Sequence, residues 1–445
     1  MHNKMKSVAV LAWSVAMLSP VCEMRAQTVQ LNQALHQLFS IADAHNANLR
    51  TVRAAIDEAQ AGVEAAKKAQ LPDVGAQLSV SYLGNARLWN RHFGESTNAP
   101  MPHFGNNFLL QVQQVVYSGG ALTAGIQLAK QNEAMQKLNA DDERRRVQFM
   151  LTGLYLQLHN MHNRSQVYAA NEALAEQQIK LMRQRYDKGV SLHSDVTRYE
   201  LQLQQIRLGA TAVADQADIV LHQLRNALGT DSAQVAMLDD EAFDDEAFAP
   251  DGEGTWQQTA AMQHPTLQRQ TLGMQMSRTQ EKMERSALLP KIALVAEDHL
   301  DGPITIEVPP IDKNLNYWFV GVGVSYNFSA LYKNRSKVRR ARLNTAWQNE
   351  KLNAAQQDVD NDVHAAYVDL GTARTQLKTR EKSLQLANEN YDVVSRRYQN
   401  GLAIVTDLTD AANLKLDAEL QLADARIALV YAFYKLKYAA GCTEL

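Results

Sequence analysis

The residues with the clearest chemical potential are two carboxylates, Asp407 and Asp410, in the stretch Arg397-Tyr398-Gln399-Asn400-Gly401-Leu402-Ala403-Ile404-Val405-Thr406-Asp407-Leu408-Thr409-Asp410. Three apart on a helix, they share one face. A set of carboxylates facing a narrow opening would attract cations, accept a divalent ion and repel anions. The alternative is local: Asp407 caps a helix and Asp410 sits in its first turn, both favoured by the helix dipole. Other arrangements lead nowhere catalytic. Asp358-x-Asp360-x-Asp362 opens like a calcium loop but has Val363 where the turn needs glycine and Asp369 where glutamate is needed, so it reads as a solvated helical face. His159 and His162 share a helix side without a third ligand. Gly321-x-Gly323 lies in a strand pattern with no helix after it, which removes a dinucleotide reading. No acid/base pair or activated nucleophile stands out, so no enzyme, cofactor or resident metal is expected.

The elements that position the two aspartates are duplicated. Arg185-Tyr186-Asp187-Lys188-Gly189-Val190-Ser191-Leu192-His193-Ser194-Asp195 lies 212 positions earlier and repeats the Arg, Tyr, Gly and first Asp. The same offset aligns Tyr155-Leu156-Gln157-Leu158 with Tyr367-Val368-Asp369-Leu370, and Leu224, Ala227 and Gly229 with Leu436, Ala439 and Gly441. This is an internal repeat held in constant register. Each tip glycine, between long Gly- and Pro-free runs, reads as a left-handed helix C-cap. Ser194 or Thr406, or the following Asp, is placed to cap the next helix. Two helical hairpins with arms of equal length follow, a geometry that favours packing side by side.

Upstream of each hairpin the period changes. Leu31 to Gln70 and His264 to Ala287 are helical in pattern and stop at Leu71-Pro72 and Leu289-Pro290. Alternation then takes over: Val74, Ala76, Leu78, Val80 and Tyr82; Phe108, Leu110 and Val112; Ile292, Leu294 and Ala296; and Trp318 through Phe328. Segments of about ten residues with one apolar face suit strands that cross a bilayer. Four strands cannot close a sheet, and an open edge in lipid leaves backbone groups unsatisfied at several kcal/mol each. Two chains would give a filled eight-stranded barrel, and three would give twelve strands around a pore, the assembly favoured here. A soluble four-stranded sandwich is the alternative. Loops 83–105 and 300–315 would face outward, with Trp89, Phe104, Tyr117, Trp318, Tyr326 and Phe328 as an aromatic girdle. Ala121 to Lys188 and Asn334 to Asn400 return to helix, each on the order of 100 Å if straight. The basic run Lys333, Arg335, Lys337, Arg339, Arg340 and Arg342 falls at the strand-to-helix junction, near lipid head groups, lining a lumen, or simply solvated.

At both levels the organisation is mainly α with membrane β. Residues 1–26 read as a secretory signal, with Lys4 and Lys6 before the apolar run Val8–Leu18; cleavage after Ala26 competes with lipidation of Cys22. Residues 27–229 form a first helix-strand-strand-helix-helix repeat, 230–256 an acidic connector, and 257–445 the second repeat. A net charge of −3 carries no basic bias, which argues against nucleic acid, and two cysteines support no disulfide framework.

The leader, the doubled unit, the Leu-Pro joints and Arg-Tyr-x-x-Gly at the tips resemble the TolC-like outer-membrane efflux proteins over essentially the whole mature chain. The resemblance implies a homotrimer, with a twelve-stranded β-barrel in the outer membrane and an α-helical tunnel in the periplasm. It implies a passive exit duct working with a periplasmic adaptor protein and an inner-membrane efflux transporter, in drug efflux or, alternatively, type I protein secretion. A secreted coiled-coil scaffold is the rival from another class. In the family, Asp407 and Asp410 match acidic rings at the tunnel entrance, where a divalent cation can block. Gly189 and Gly401, with Arg185, Arg397, Tyr186, Tyr398 and Asp195, match the tip that meets the adaptor and holds the entrance shut. Ala403 departs from the pattern, standing where the best-known member has an arginine that bonds the neighbouring hairpin.

Overall fold

The computed structural model describes residues 29–230, 248, 251–307 and 310–442; the leader, Cys22 and most of the acidic connector lie outside them. The chain runs α1 (Val29–His45), α2 (Ala47–Lys68), β1 (Asp73–Tyr82), β2 (Ala86–Trp89), β3 (Ser96–Ala99), β4 (Phe104–Tyr117), α3 (Ala121–Asp187) and α4 (His193–Leu228). It continues with α5 (Glu253–Gln263), α6 (Pro265–Ser286), β5 (Lys291–Gly302), β6 (Leu315–Ser325), α7 (Ala330–Gln399) and α8 (Val405–Ala439). Two compact units result. One holds the residues up to Arg50 with Asp142–Pro265 and Gln356 onward; the other holds Thr51–Asp141 and Thr266–Ala355.

The second unit is built on one antiparallel sheet in the order β1-β4-β5-β6. Its central pairing, β4 with β5, joins the two sequence repeats. Register places Val74, Val112, Ala296 and Val320 on one rung, so the apolar positions of all four strands share a face. That face is bare: Val74, Leu78, Val80 and Tyr82 are 63–79% exposed, and Trp318, Val320, Val322 and Val324 are 65–73% exposed. Asp298, bonded by Asn316 Nδ2 at 2.9 Å, is the acid on this face. The other face carries Gln77, Ser79, Asn107, Gln111, Glu297 and His299. Gln111 donates to Glu297 at 3.0 Å, Asn107 to Asp301, and the His299 ring stacks on Tyr317 at 4.6 Å. The outer strands β1 and β6 each pair on one side only. Among the described residues no helix is long and apolar enough to cross a membrane.

The first unit holds the hairpin tips, both short arms and the greater part of the long arms, which begin in the second unit. α3 and α7 have 67 and 70 residues, α4 and α8 have 36 and 35. Their ends obey the repeat: Asp187 and Gln399 close the long arms, His193 and Val405 open the short ones, each pair 212 apart. The short arms also end alike. Gly229 (φ +74°) presses on the His45 carbonyl and Gly441 (φ +80°) on His264, so a Cβ at either would meet backbone at 2.4 or 2.7 Å. Only glycine fits so close an approach.

Four expectations need correction. The helix expected from Leu31 to Gln70 is two helices: Asn46 keeps its backbone bonds to the Ala42 carbonyl at 2.8 Å and from the Arg50 N–H at 3.1 Å, but its side chain intervenes at the joint. Its Oδ1 accepts the Leu49 N–H at 3.1 Å while its Nδ2 donates to the Ala227 carbonyl at 2.7 Å. A side chain bonded on both sides competes with the helical continuation there. The connection after β1 is not a plain loop but holds the β2–β3 hairpin, with Ala86 opposite Ala99. β4 is 14 residues rather than about ten, and β6 ends at Ser325, leaving Tyr326 and Phe328 beyond the strand. α5 begins at Glu253, inside the span read as connector.

The set-aside residues fall where solvent or packing claims them. Asp358, Asp360 and Asp362 are exposed on α7. His159 is buried in α3, its ring 6.4 Å from that of His162. No group of three His, Cys, Asp or Glu able to hold a metal occurs among the described residues.

Candidate functional site at the hairpin tips

Both tips close by the same hydrogen bonds. The Gly189 N–H donates to the Tyr186 carbonyl at 2.8 Å and the Val190 N–H to the Arg185 carbonyl at 2.9 Å. In the second repeat Gly401 donates to Tyr398 at 3.0 Å and Leu402 to Arg397 at 2.8 Å. This paired closure requires a left-handed residue after the helix, and the two glycines supply it at φ +71° and +73°.

The caps of the short arms differ from expectation. Neither Ser194 nor Thr406 is the N-cap; Leu192 and Ile404 are, in extended conformation. They have no side-chain acceptor to offer, so the helix is capped from inside. Asp195 Oδ2 accepts the Leu192 N–H, and Asp407 Oδ2 the Ile404 N–H, each at 3.2 Å. This is the acidic half of a capping box, with charge placed at the positive end of the helix. Asp410 lies one turn on, and both Asp407 and Asp410 are exposed. The repeat breaks here. Asp195 matches Asp407, but the position matching Asp410 is Arg198. The acidic pair therefore belongs to the second hairpin alone.

A shared core holds the tips together. Ala175, Ile179 and Met182 of α3 pack with Val196, Tyr199, Leu203 and Ile206 of α4, with Tyr391 and Tyr398 of α7, and with Val405, Leu408 and Ala411 of α8. Ala403, the departure from the family pattern, packs against this core. Burial, with Tyr391 and Tyr398 alongside, pushes the Tyr199 phenol far up. The duplicated tyrosines part company: Tyr398 is 7% exposed inside the core, whereas Tyr186 is 44% exposed and meets His193 edge-on at 5.6 Å. Arg185 lies over the Tyr398 ring, while Arg397 faces solvent.

Two features had no sequence signal beyond residue type. Val190, Leu192, Leu402 and Ile404 are 64–69% exposed, an apolar pair at each tip beside the glycine. Behind the first tip an open groove of about 900 Å³ runs between α3 and α4, with Ile179, Leu201 and Leu203 among its walls. Arg207 crosses nearby to Glu172 at 2.6 Å and Glu176 at 2.7 Å. The tips thus carry exposed carboxylates and exposed apolar side chains close together in the chain.

Comparison with known proteins agrees with the resemblance seen in the sequence. The family described as "Outer membrane efflux protein" matches residues 38–230 and 256–442. The outer membrane protein TolC of Salmonella enteritidis is 21% identical over 423 residues, 93% of this chain and 83% of that protein. The outer membrane efflux protein BepC of Brucella suis biovar 1 is 20% identical over 400 residues, 89% of this chain and 83% of that protein. Among solved structures, the outer membrane protein VceC of Vibrio cholerae superposes with a TM-score of 0.74 at 14% identity, covering 94% of this chain and 99% of that one.

Proposed function

Because this chain belongs to the outer membrane efflux protein family, and is thus an outer-membrane channel protein rather than a member of an enzyme class, we propose that it is the exit duct of a tripartite efflux system. The observation that carries the proposal is the four-stranded sheet with one bare apolar face and two outer strands paired on one side only. In a bilayer such a sheet is stable only when other chains complete it. Three copies give twelve strands, with the apolar face toward lipid and the Gln77–Gln111–Glu297 face toward a lumen. Residues 27–229 and 257–445 act as the two structural repeats, joined by 230–256.

The tips form the periplasmic entrance in this reading. Threefold symmetry brings Asp407 and Asp410 of each copy around one opening, where cations enter favourably and a divalent ion can lodge. The exposed Val190, Leu192, Leu402 and Ile404, with Gly189 and Gly401 between them, support docking of a periplasmic adaptor, which couples the duct to an inner-membrane transporter. Arg185, Tyr398 and Asp195 hold the tip in shape rather than contact the solute. Small molecules are the proposed cargo. Light scattering of the detergent-purified particle tests the assembly: the mass of three chains is expected, and a monomer soluble without detergent would overturn the duct.

A further inference from the structure

The opening of α7 is densely cationic. Lys333, Arg335, Lys337, Arg339, Arg340 and Arg342 lie within its first four turns and all are exposed. Their placement opposes the helix dipole, which favours anions at this end, and the first turn holds Lys333 and no acid. Among the described residues Arg342 alone of the six reaches a carboxylate, Glu281 at 3.9 Å. Such a concentration of exposed cations sets up a local positive potential that attracts anions.

Helical spacing divides the run into two stripes. Arg335, Arg339 and Arg342 follow Tyr332 at i+3, i+7 and i+10, whereas Lys333, Lys337 and Arg340 occupy another flank. Tyr332 is 67% exposed. It follows in sequence the exposed aromatics Tyr326 and Phe328, which pack edge-on at 4.9 Å just beyond the exposed Val320, Val322 and Val324 of β6. Aromatic residues mark the level where hydrocarbon gives way to head groups. The same rim carries exposed Lys67 and Lys68 at the end of α2, and Lys291, which pairs with Ser325 at the foot of β6.

We infer that Arg335 and Arg339 bind the phosphates of anionic phospholipids at the rim where the strands give way to the long helices. Guanidinium groups suit this ligand, since their paired donors match phosphate oxygens. The inference rests on the membrane reading above.

The test uses the full-length protein in phosphatidylcholine vesicles with trace spin-labelled phosphatidylglycerol or spin-labelled phosphatidylcholine. Spin resonance reads the share of each label immobilised at the protein. Wild type is expected to favour phosphatidylglycerol by about fivefold. The preference should fall to near parity in Arg335→Gln/Arg339→Gln and survive in Lys337→Gln/Arg340→Gln. Equal association of both labels with wild type, or equal loss in the two double variants, would overturn the assignment. Failure of wild type to enter vesicles would overturn the membrane reading and this inference with it.

Discussion

The guanidinium carbon of Arg185, on the first hairpin, lies 5.1 Å from the ring centroid of Tyr398 on the second. It therefore links the two repeats at their tips through residues that the repeat itself makes equivalent to Arg397 and Tyr186. A half-buried cation over a buried ring contributes about 0.5–2 kcal/mol. Arg185→Ala should lower stability by about that amount and Arg397→Ala by much less, because Arg397 faces solvent. Denaturant unfolding of the detergent-solubilised protein would show it, and equal losses from the two variants would contradict the link.

The capping geometry separates the two candidate gate residues. Asp407 bonds the Ile404 N–H from the first turn, so Asp407→Ala should cost about 0.3–1 kcal/mol and speed hydrogen exchange at Ile404. Asp195→Ala should do the same at Leu192. Asp410→Ala should leave exchange at both amides unchanged. Site-resolved exchange by mass spectrometry distinguishes the three.

The glycines rank by surroundings. At Gly189 and Gly401 a Cβ meets nothing within 4 Å, so alanine adds only left-handed strain, roughly 1–2 kcal/mol. At Gly229 the Cβ would also lie 2.4 Å from the His45 carbonyl oxygen. Gly229→Ala should therefore be clearly the most damaging of the three in thermal unfolding. Equal effects would mean that the His45 contact yields.

Alkaline pH should weaken the helical unit through Tyr155. Burial pushes its phenol from 10.0 up to about 12, so the unfolded chain gives up this proton first. The stability tied to the neutral phenol is whole below pH 10 and is lost as pH rises toward about 12. Tyr155→Phe should flatten the fall of melting temperature across that window. An unchanged slope would place the alkaline lability elsewhere.

The duplication was legible because it is written in residue identity: two glycines and two Arg-Tyr pairs 212 positions apart, and a Leu-Pro joint before each strand region, set helix ends that the structure reproduces. The strands were legible because a sheet with one apolar and one polar face imposes a period of two. What escaped depends on partners distant in the chain. Asn46 interrupts a helix with no glycine or proline, and its side chain reaches the carbonyl of Ala227. Leu192 and Ile404 are poor caps by type, and serve because an aspartate three residues on bonds their N–H. Tyr186 and Tyr398 sit in matching motifs yet differ sixfold in exposure, since α8 and Arg185 cover only the second. Residue type could not show that the apolar pairs beside the tip glycines lie bare.

The most direct test of the duct is single-channel recording of the purified protein in planar bilayers, wild type beside Asp407→Ala/Asp410→Ala, with divalent cations titrated from the side of the hairpin tips. The account predicts small cation-selective currents that divalent ions block, with the block weakened in the double variant. Conductance with identical block in both proteins would return the aspartates to helix capping alone, and the absence of any conductance would contradict the duct itself.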